Sequence, residues 1–204
     1  MIDLITPTYL PNISYMAWLI RKKKIYFNLK DKYNKQTYRN RAEIYGSNGK
    51  LILTIPIIHV KEKKYQLTKE VKIYYDKNWQ SNHWKSICSA YRSSPYFEFY
   101  EEELSNYYFK INEKYLFDFN MKLLSKITNL LSHPFKYKLA NYKEKNHNKI
   151  YQLINAKNEY FEIPKYSQVF SGKYGFLNNL SILDLLFNLG PNAMDYLYSI
   201  NIKF

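Results

Sequence analysis

Trp79 and His83 stand four residues apart, and Ile87 and Ala90 continue the same face if the segment is helical. An imidazole among aromatic rings can titrate near neutrality, as a general base taking a proton from an amine or hydroxyl must. A histidine that is merely packed, or that caps a helix, has the same pattern. Arg39 and Arg41 are two apart, so along an extended chain both guanidiniums project to one side, with Lys35 nearby in sequence. Two planar forks side by side suit a diphosphate. A solvated basic loop is the plainer alternative, because surface lysines abound in this chain.

The stretch Thr6-Pro7-Thr8-Tyr9-Leu10-Pro11-Asn12 offers a third candidate. It precedes a helical pattern whose free amides and dipole favour an anion, so Tyr9, Pro11 and Asn12 could lie against a sugar or its phosphate. It lacks the glycine spacing of a dinucleotide or phosphate-loop site, and a rigid core turn would read the same way. Near the other end, Ser181 and Asp184 have the spacing of a helix-capping box. Asp184 is also the carboxylate that could orient His83, as could Gln168. Gln168, Asn179 and Tyr166 are polar groups flanked by apolar ones and could read sugar hydroxyls. Cys88 could carry an acyl group, but burial as a small apolar residue suits its helical position better.

The single cysteine excludes an internal disulfide, and no Cys/His set has zinc spacing. There is no cofactor signature. No signal-peptide pattern opens the chain and no apolar run is long enough to span a membrane, so the expectation is a soluble cytoplasmic protein. The net charge is +14, carried by 27 Lys and only 4 Arg. With Asn, Ile, Tyr and Phe abundant, much of the lysine excess has the look of A/T-rich coding. The excess is nevertheless uneven: residues 21–41 hold nine basic residues and one acid, Asp31. That local field admits an RNA partner, such as an aminoacyl-tRNA, beside a phosphate-bearing small ligand.

These residues need elements to position them. Residues 2–5 and 25–29 are apolar runs with strand character, and Asn12 is a good cap for a helix carrying Ile13, Met16, Ala17 and Ile20. Strand, loop, helix, strand begins a β-loop-α-β unit. A hairpin follows, 42–45 and 51–55 around Gly46-Ser47-Asn48-Gly49, then a strand at 70–75. Helical patterns run from 81 or 82 to 92, from 95 to 108 and from 117 to 131, and 160–163 could be a last strand. Gly190 and Pro191 stop one terminal helix and open the next. The expected fold class is α/β: one domain over 204 residues, with a mixed sheet and a helix-rich second half, α+β being the alternative.

Several blocks in order resemble the WbqC-like family of bacterial proteins. They are Pro7-Thr8-Tyr9-Leu10-Pro11, Lys35-Gln36-Thr37-Tyr38-Arg39-Asn40-Arg41, Leu53-Thr54-Ile55-Pro56, and Trp79 with His83, Ile87 and Ala90-Tyr91. Ser94-Pro95-Tyr96-Phe97, Tyr166-Ser167-Gln168-Val169-Phe170 and the run from Asn179 to Pro191 complete the set. The resemblance covers nearly the whole chain and departs in region 140–165, which is short and rich in Asn and Lys here. It implies a place in O-antigen or related surface-polysaccharide gene clusters and a glycyl- or acyl-transfer role. The expected substrates are then a nucleotide-linked amino sugar and an acyl or aminoacyl donor. A non-catalytic scaffold for glycan assembly is a further alternative. The oligomeric state cannot be read from these patterns.

Overall fold

The computed structural model describes residues 4–60, 65–75, 78–141, 148–157 and 161–204. In chain order, β1 (Leu4–Ile5), α1 (Ile13–Leu19) and β2 (Ile25–Asn28) are followed by the hairpin β3 (Arg41–Gly46) and β4 (Gly49–Thr54). Short strands β5 (Ile57–Ile58) and β6 (Lys72–Ile73) precede the longer helices α2 (Trp79–Tyr91), α3 (Phe97–Lys110) and α4 (Leu116–Leu130). Strand β7 (Tyr137–Ala140), the one-turn helices α5 (Asn148–Tyr151) and α6 (Ser171–Tyr174), then α7 (Ile182–Leu189) and α8 (Ala193–Ser199) complete the α/β fold.

The expected β-loop-α-β unit forms. β1 and β2 are parallel, with Leu4 opposite Tyr26 and Ile5 opposite Phe27. Asn12 caps α1, its side-chain oxygen accepting the Tyr15 amide. Every residue of α1 is buried, Ser14 included, and so is nearly all of α7. Buried on nearly every side, these two helices form the heart of the core. Their starts are lashed together: Ile13 donates its amide to the Leu180 carbonyl at 3.0 Å, and Ile182 donates to Pro11 at 2.7 Å. Arg21 closes α1 and α8 at once, its guanidinium donating to the carbonyls of Ala17 and Leu197 at 2.6 and 2.9 Å.

Among the described residues, the mixed sheet expected from sequence is instead three small sheets. One is parallel, ordered β1-β2-β7, and the hairpin and the β5–β6 pair stand apart from it. Strand β7 was not legible: Tyr137 and Leu139 on this edge strand are 47% and 53% exposed, so no buried alternation announces it. The strand expected at 160–163 is not seen over 161–163, which are irregular, and Tyr160 lies outside the described residues. The strand at 70–75 shrinks to β6, because Thr68–Glu70 is a 3₁₀ turn. Gly190 has a positive φ of 53°, and a Cβ there would meet the Tyr96 ring at 2.5 Å, so both backbone and packing demand glycine. Pro191 follows within a 3₁₀ turn that leads into α8.

Candidate functional site

Because β1, β2 and β7 are parallel, the loops after their carboxyl ends gather at one edge, where open α/β sheets bind ligands. Thr6 and Thr8 follow β1. Asp31 and Arg39 lie on the segment after β2, and Tyr151 ends α5, the helix after β7. Arg39 is completely buried. Its Nε and Nη2 both donate to Asp31 Oδ2, at 3.0 and 2.6 Å, and Thr68 Oγ1 donates to the same oxygen at 2.9 Å. The Tyr151 ring lies 5.5 Å from the guanidinium carbon. A buried charge needs such a partner, and Asp31, the one acid of the cationic stretch, supplies it. The outer nitrogen Nη1 finds no partner among the described residues.

Four more buried polar atoms nearby are equally unmatched: Thr6 Oγ1, Thr8 Oγ1, Asn120 Oδ1 and Trp79 Nε1. Asn120, the one amide on the buried face of α4, donates through Nδ2 to the Pro7 carbonyl at 3.3 Å and to the Arg39 carbonyl at 2.7 Å. Pro7 sits between the two threonines, so one amide knots together the segments that carry four of the five groups. Trp79 joins through Phe119, its ring 5.5 Å away, and through Tyr9 at 6.4 Å. Buried polar atoms are nearly always hydrogen-bonded, so this concentration calls for an explanation.

The residues expected to form a site are distributed differently. Arg39 and Arg41 do not present paired open forks: Arg39 is buried against Asp31, while Arg41 at the head of β3 is half-exposed. Both charges act on Tyr33, whose hydroxyl burial nonetheless pushes up to about 12. Lys35 is exposed on the same segment. The amides of α1 are not open to an anion either, because the chain itself fills them. Asn179 Oδ1 accepts the Ser14 amide at 2.9 Å, and Asn12 Oδ1 accepts Tyr15 at 2.8 Å. Pro11, Asn12 and Asn179 therefore dock the two ends of the chain on each other, Asn179 at a positive φ of 52°.

His83 is buried, and its Nδ1 lies 2.9 Å from the Tyr9 hydroxyl, which lies 2.7 Å from that of Tyr108. Burial pushes its pKa down to about 4, against the opposing pull of the Thr54 backbone. The imidazole is therefore neutral near pH 7 and a weak proton acceptor.

Asp184 does not orient it. Nor does its carboxylate cap α7, since the Ser181 amide donates to Glu43 instead. Asp184 is fully buried, and its Oδ2 accepts the Tyr166 hydroxyl and Gln168 Nε2, the latter at 3.0 Å. Desolvation pushes its pKa up to about 6, against hydrogen bonds from Tyr166, Gln168 and Tyr91. Tyr91 lies eight residues after His83 on α2, about 12 Å along the axis, so the two titratable groups occupy separate clusters. Gln168 also clasps Leu177 through both amide atoms, at 2.9 and 2.8 Å. Cys88 is half-buried beside Glu101 and Arg92, and burial raises its thiol pKa.

Sequence reading marked the stretch holding Thr6 and Thr8 but missed Asp31, Thr68 and Asn120 as members of the site. Two of them left a signal: a lone acid among cations, and an amide spaced with Phe117 and Leu124 on an apolar stripe.

The family profile described as "WbqC-like protein family" matches residues 6–159 and 143–196, spanning every element of the site. The chain belongs to the WbqC-like family. Among curated proteins, this WbqC-like chain is similar to "Uncharacterized protein Rv1507c" of Mycobacterium tuberculosis (strain ATCC 25618 / H37Rv). The two are 25% identical over 194 residues, covering 81% of this chain and 83% of that one. No solved structure matches it. Among the described residues, no helix is long and apolar enough to cross a membrane, and no cluster of His, Cys, Asp or Glu could hold a metal ion.

Proposed function

We propose that this WbqC-like protein works in surface-polysaccharide assembly, holding a nucleotide-linked amino sugar while an acyl or aminoacyl group passes to the sugar nitrogen. The pathway follows from what the family resemblance implies. The binding half rests on one observation: a fully buried guanidinium with an unmatched nitrogen, at the strand ends where α/β proteins take their ligands. In the transfer, the amine nitrogen attacks the donor carbonyl carbon, a C–N bond forms, the donor's leaving group departs with the bonding pair, and the amine gives up a proton. His83 is too weakly basic to be that acceptor by itself, and its role in this scheme is to hold the Tyr9 hydroxyl in place.

Calorimetry and thermal shift with nucleoside-diphosphate amino sugars test binding, and mass spectrometry of mixtures with acyl-thioester or aminoacyl-tRNA donors tests transfer. A sugar product heavier by one acyl or aminoacyl group is the expected result. Binding without turnover for any donor would replace the transferase reading with that of a glycan-assembly scaffold. Absence of binding by any nucleotide sugar would remove both. The RNA reading draws less support from the geometry, since Arg21 and Arg39 are engaged internally. A steep loss of tRNA affinity with added salt would restore it.

A further inference from the structure

The character of the unmatched atoms says which part of such a ligand enters the site. Among the described residues, Arg39 Nη1 and Trp79 Nε1 are donors that lack acceptors, whereas Asn120 Oδ1 is an acceptor that lacks a donor. The hydroxyls of Thr6 and Thr8 can act in either sense. A phosphate group at neutral pH offers acceptors almost alone and would leave Asn120 unmatched.

The electrostatics point the same way. Arg39 is neutralised by Asp31, whose Oδ2 takes three donors, so the buried region carries no net positive charge to hold a dianion. The half-exposed guanidinium is that of Arg41, two residues along the chain, with Lys35 exposed on the same segment.

Resting on the proposed function, we infer that the buried cluster of Thr6, Thr8, Arg39, Trp79 and Asn120 takes the sugar ring. Its hydroxyl and amide groups both give and accept hydrogen bonds, and the diphosphate stays outside against Arg41 and Lys35. The cluster thus reads a neutral polyhydroxyl or N-acyl group, and the surface cations hold the charge. Asn120 Oδ1 discriminates by requiring a donor from the sugar, and Arg39 Nη1 by requiring an acceptor. Thr6 and Thr8 flank Pro7, whose carbonyl accepts Asn120 Nδ2, and they supply hydroxyls that fit either partner.

The experiment is calorimetric titration of UDP-N-acetylglucosamine, UDP and pyrophosphate into the full chain and into Thr8→Val, Asn120→Leu and Arg41→Gln. Thr8→Val removes a hydroxyl that has no partner among the described residues, so it folds at least as well as the parent, and its melting temperature is measured alongside. The inference expects Thr8→Val to weaken the nucleotide sugar about tenfold while UDP and pyrophosphate bind as before. Arg41→Gln should weaken all three. If Thr8→Val weakens pyrophosphate as much as the nucleotide sugar, the cluster is a phosphate site and the inference is overturned. If the parent binds the nucleotide sugar and Thr8→Val binds it equally well, the sugar lies elsewhere, and the inference fails while the proposed function stands. Should UDP bind while the sugar adds nothing to the parent's affinity, the inference fails again, separately from any loss of the nucleotide site. Asn120→Leu supports the inference only if its loss is likewise confined to the sugar-bearing probe.

Discussion

At the residue scale the informative groups are those whose surroundings leave a hydrogen bond unmade or a charge unbalanced. Asp31→Asn strips the counter-charge from a guanidinium with no solvent access. We expect a loss of about 3–5 kcal/mol in chemical denaturation. Thr8→Val should do the reverse, raising stability by about 1 kcal/mol, because valine keeps the shape and deletes a hydroxyl without a partner among the described residues. The two titratable clusters give a pH signature. His83 has a folded pKa near 4, below its usual 6.5, so its contribution is lost as pH falls from about 6.5 towards 4. Asp184 is raised to about 6 from 3.8, so its contribution is present at low pH and lost as pH rises through 6. Across pH 4–6 the two oppose each other. Asp184→Asn should therefore uncover a steep loss of stability on acidification, and His83→Gln should uncover a gain. Matching profiles for the two variants would show that neither group titrates as its burial requires.

At the element scale, the chain's two ends are a single structural unit. Asn179 supplies an acceptor to α1, and Pro11 supplies one to the start of α7. Asn179→Ala removes the Ser14 partner and should cost about 1–2 kcal/mol, as the loss of a helix cap does, with the fall read from urea midpoints. Gly190→Ala is more severe, since its Cβ would overlap the Tyr96 ring, and we expect at least 2 kcal/mol. This scale is also where the sequence was most readable. The capped α1, the hairpin around Gly46 and Gly49, and α2 to α4 follow from caps, turn glycines and 3.6-residue periodicity, with shifts of one to three residues at their ends. Strand β7 was hidden because an exposed edge strand of four residues carries no periodic signal. The candidate site was hidden for a deeper reason. Asp31 meets Arg39, and Asn120 meets Pro7, only after loops far apart in sequence converge. The notable residue types, His83, Arg39 and Asn12, were visible, but their partners decide what each can do.

At the scale of the whole molecule, the parallel strands aim three loops at one edge while α1 and α7 fill the interior behind them. The cationic excess lies largely on surface lysines. Inside, one arginine is neutralised and left with an unmatched nitrogen, and the surrounding threonines, asparagine and tryptophan repeat that condition. In this account a neutral sugar moiety completes those hydrogen bonds. The most direct test uses the three indole N–H signals of Trp18, Trp79 and Trp84 in ¹H–¹⁵N NMR during titration with UDP-N-acetylglucosamine. The account predicts that the Trp79 signal moves, through a new hydrogen bond at Nε1, while that of Trp84, out between α2 and α3, stays in place. A saturable shift confined to Trp84, or no shift of Trp79 when the protein is fully bound, would contradict it.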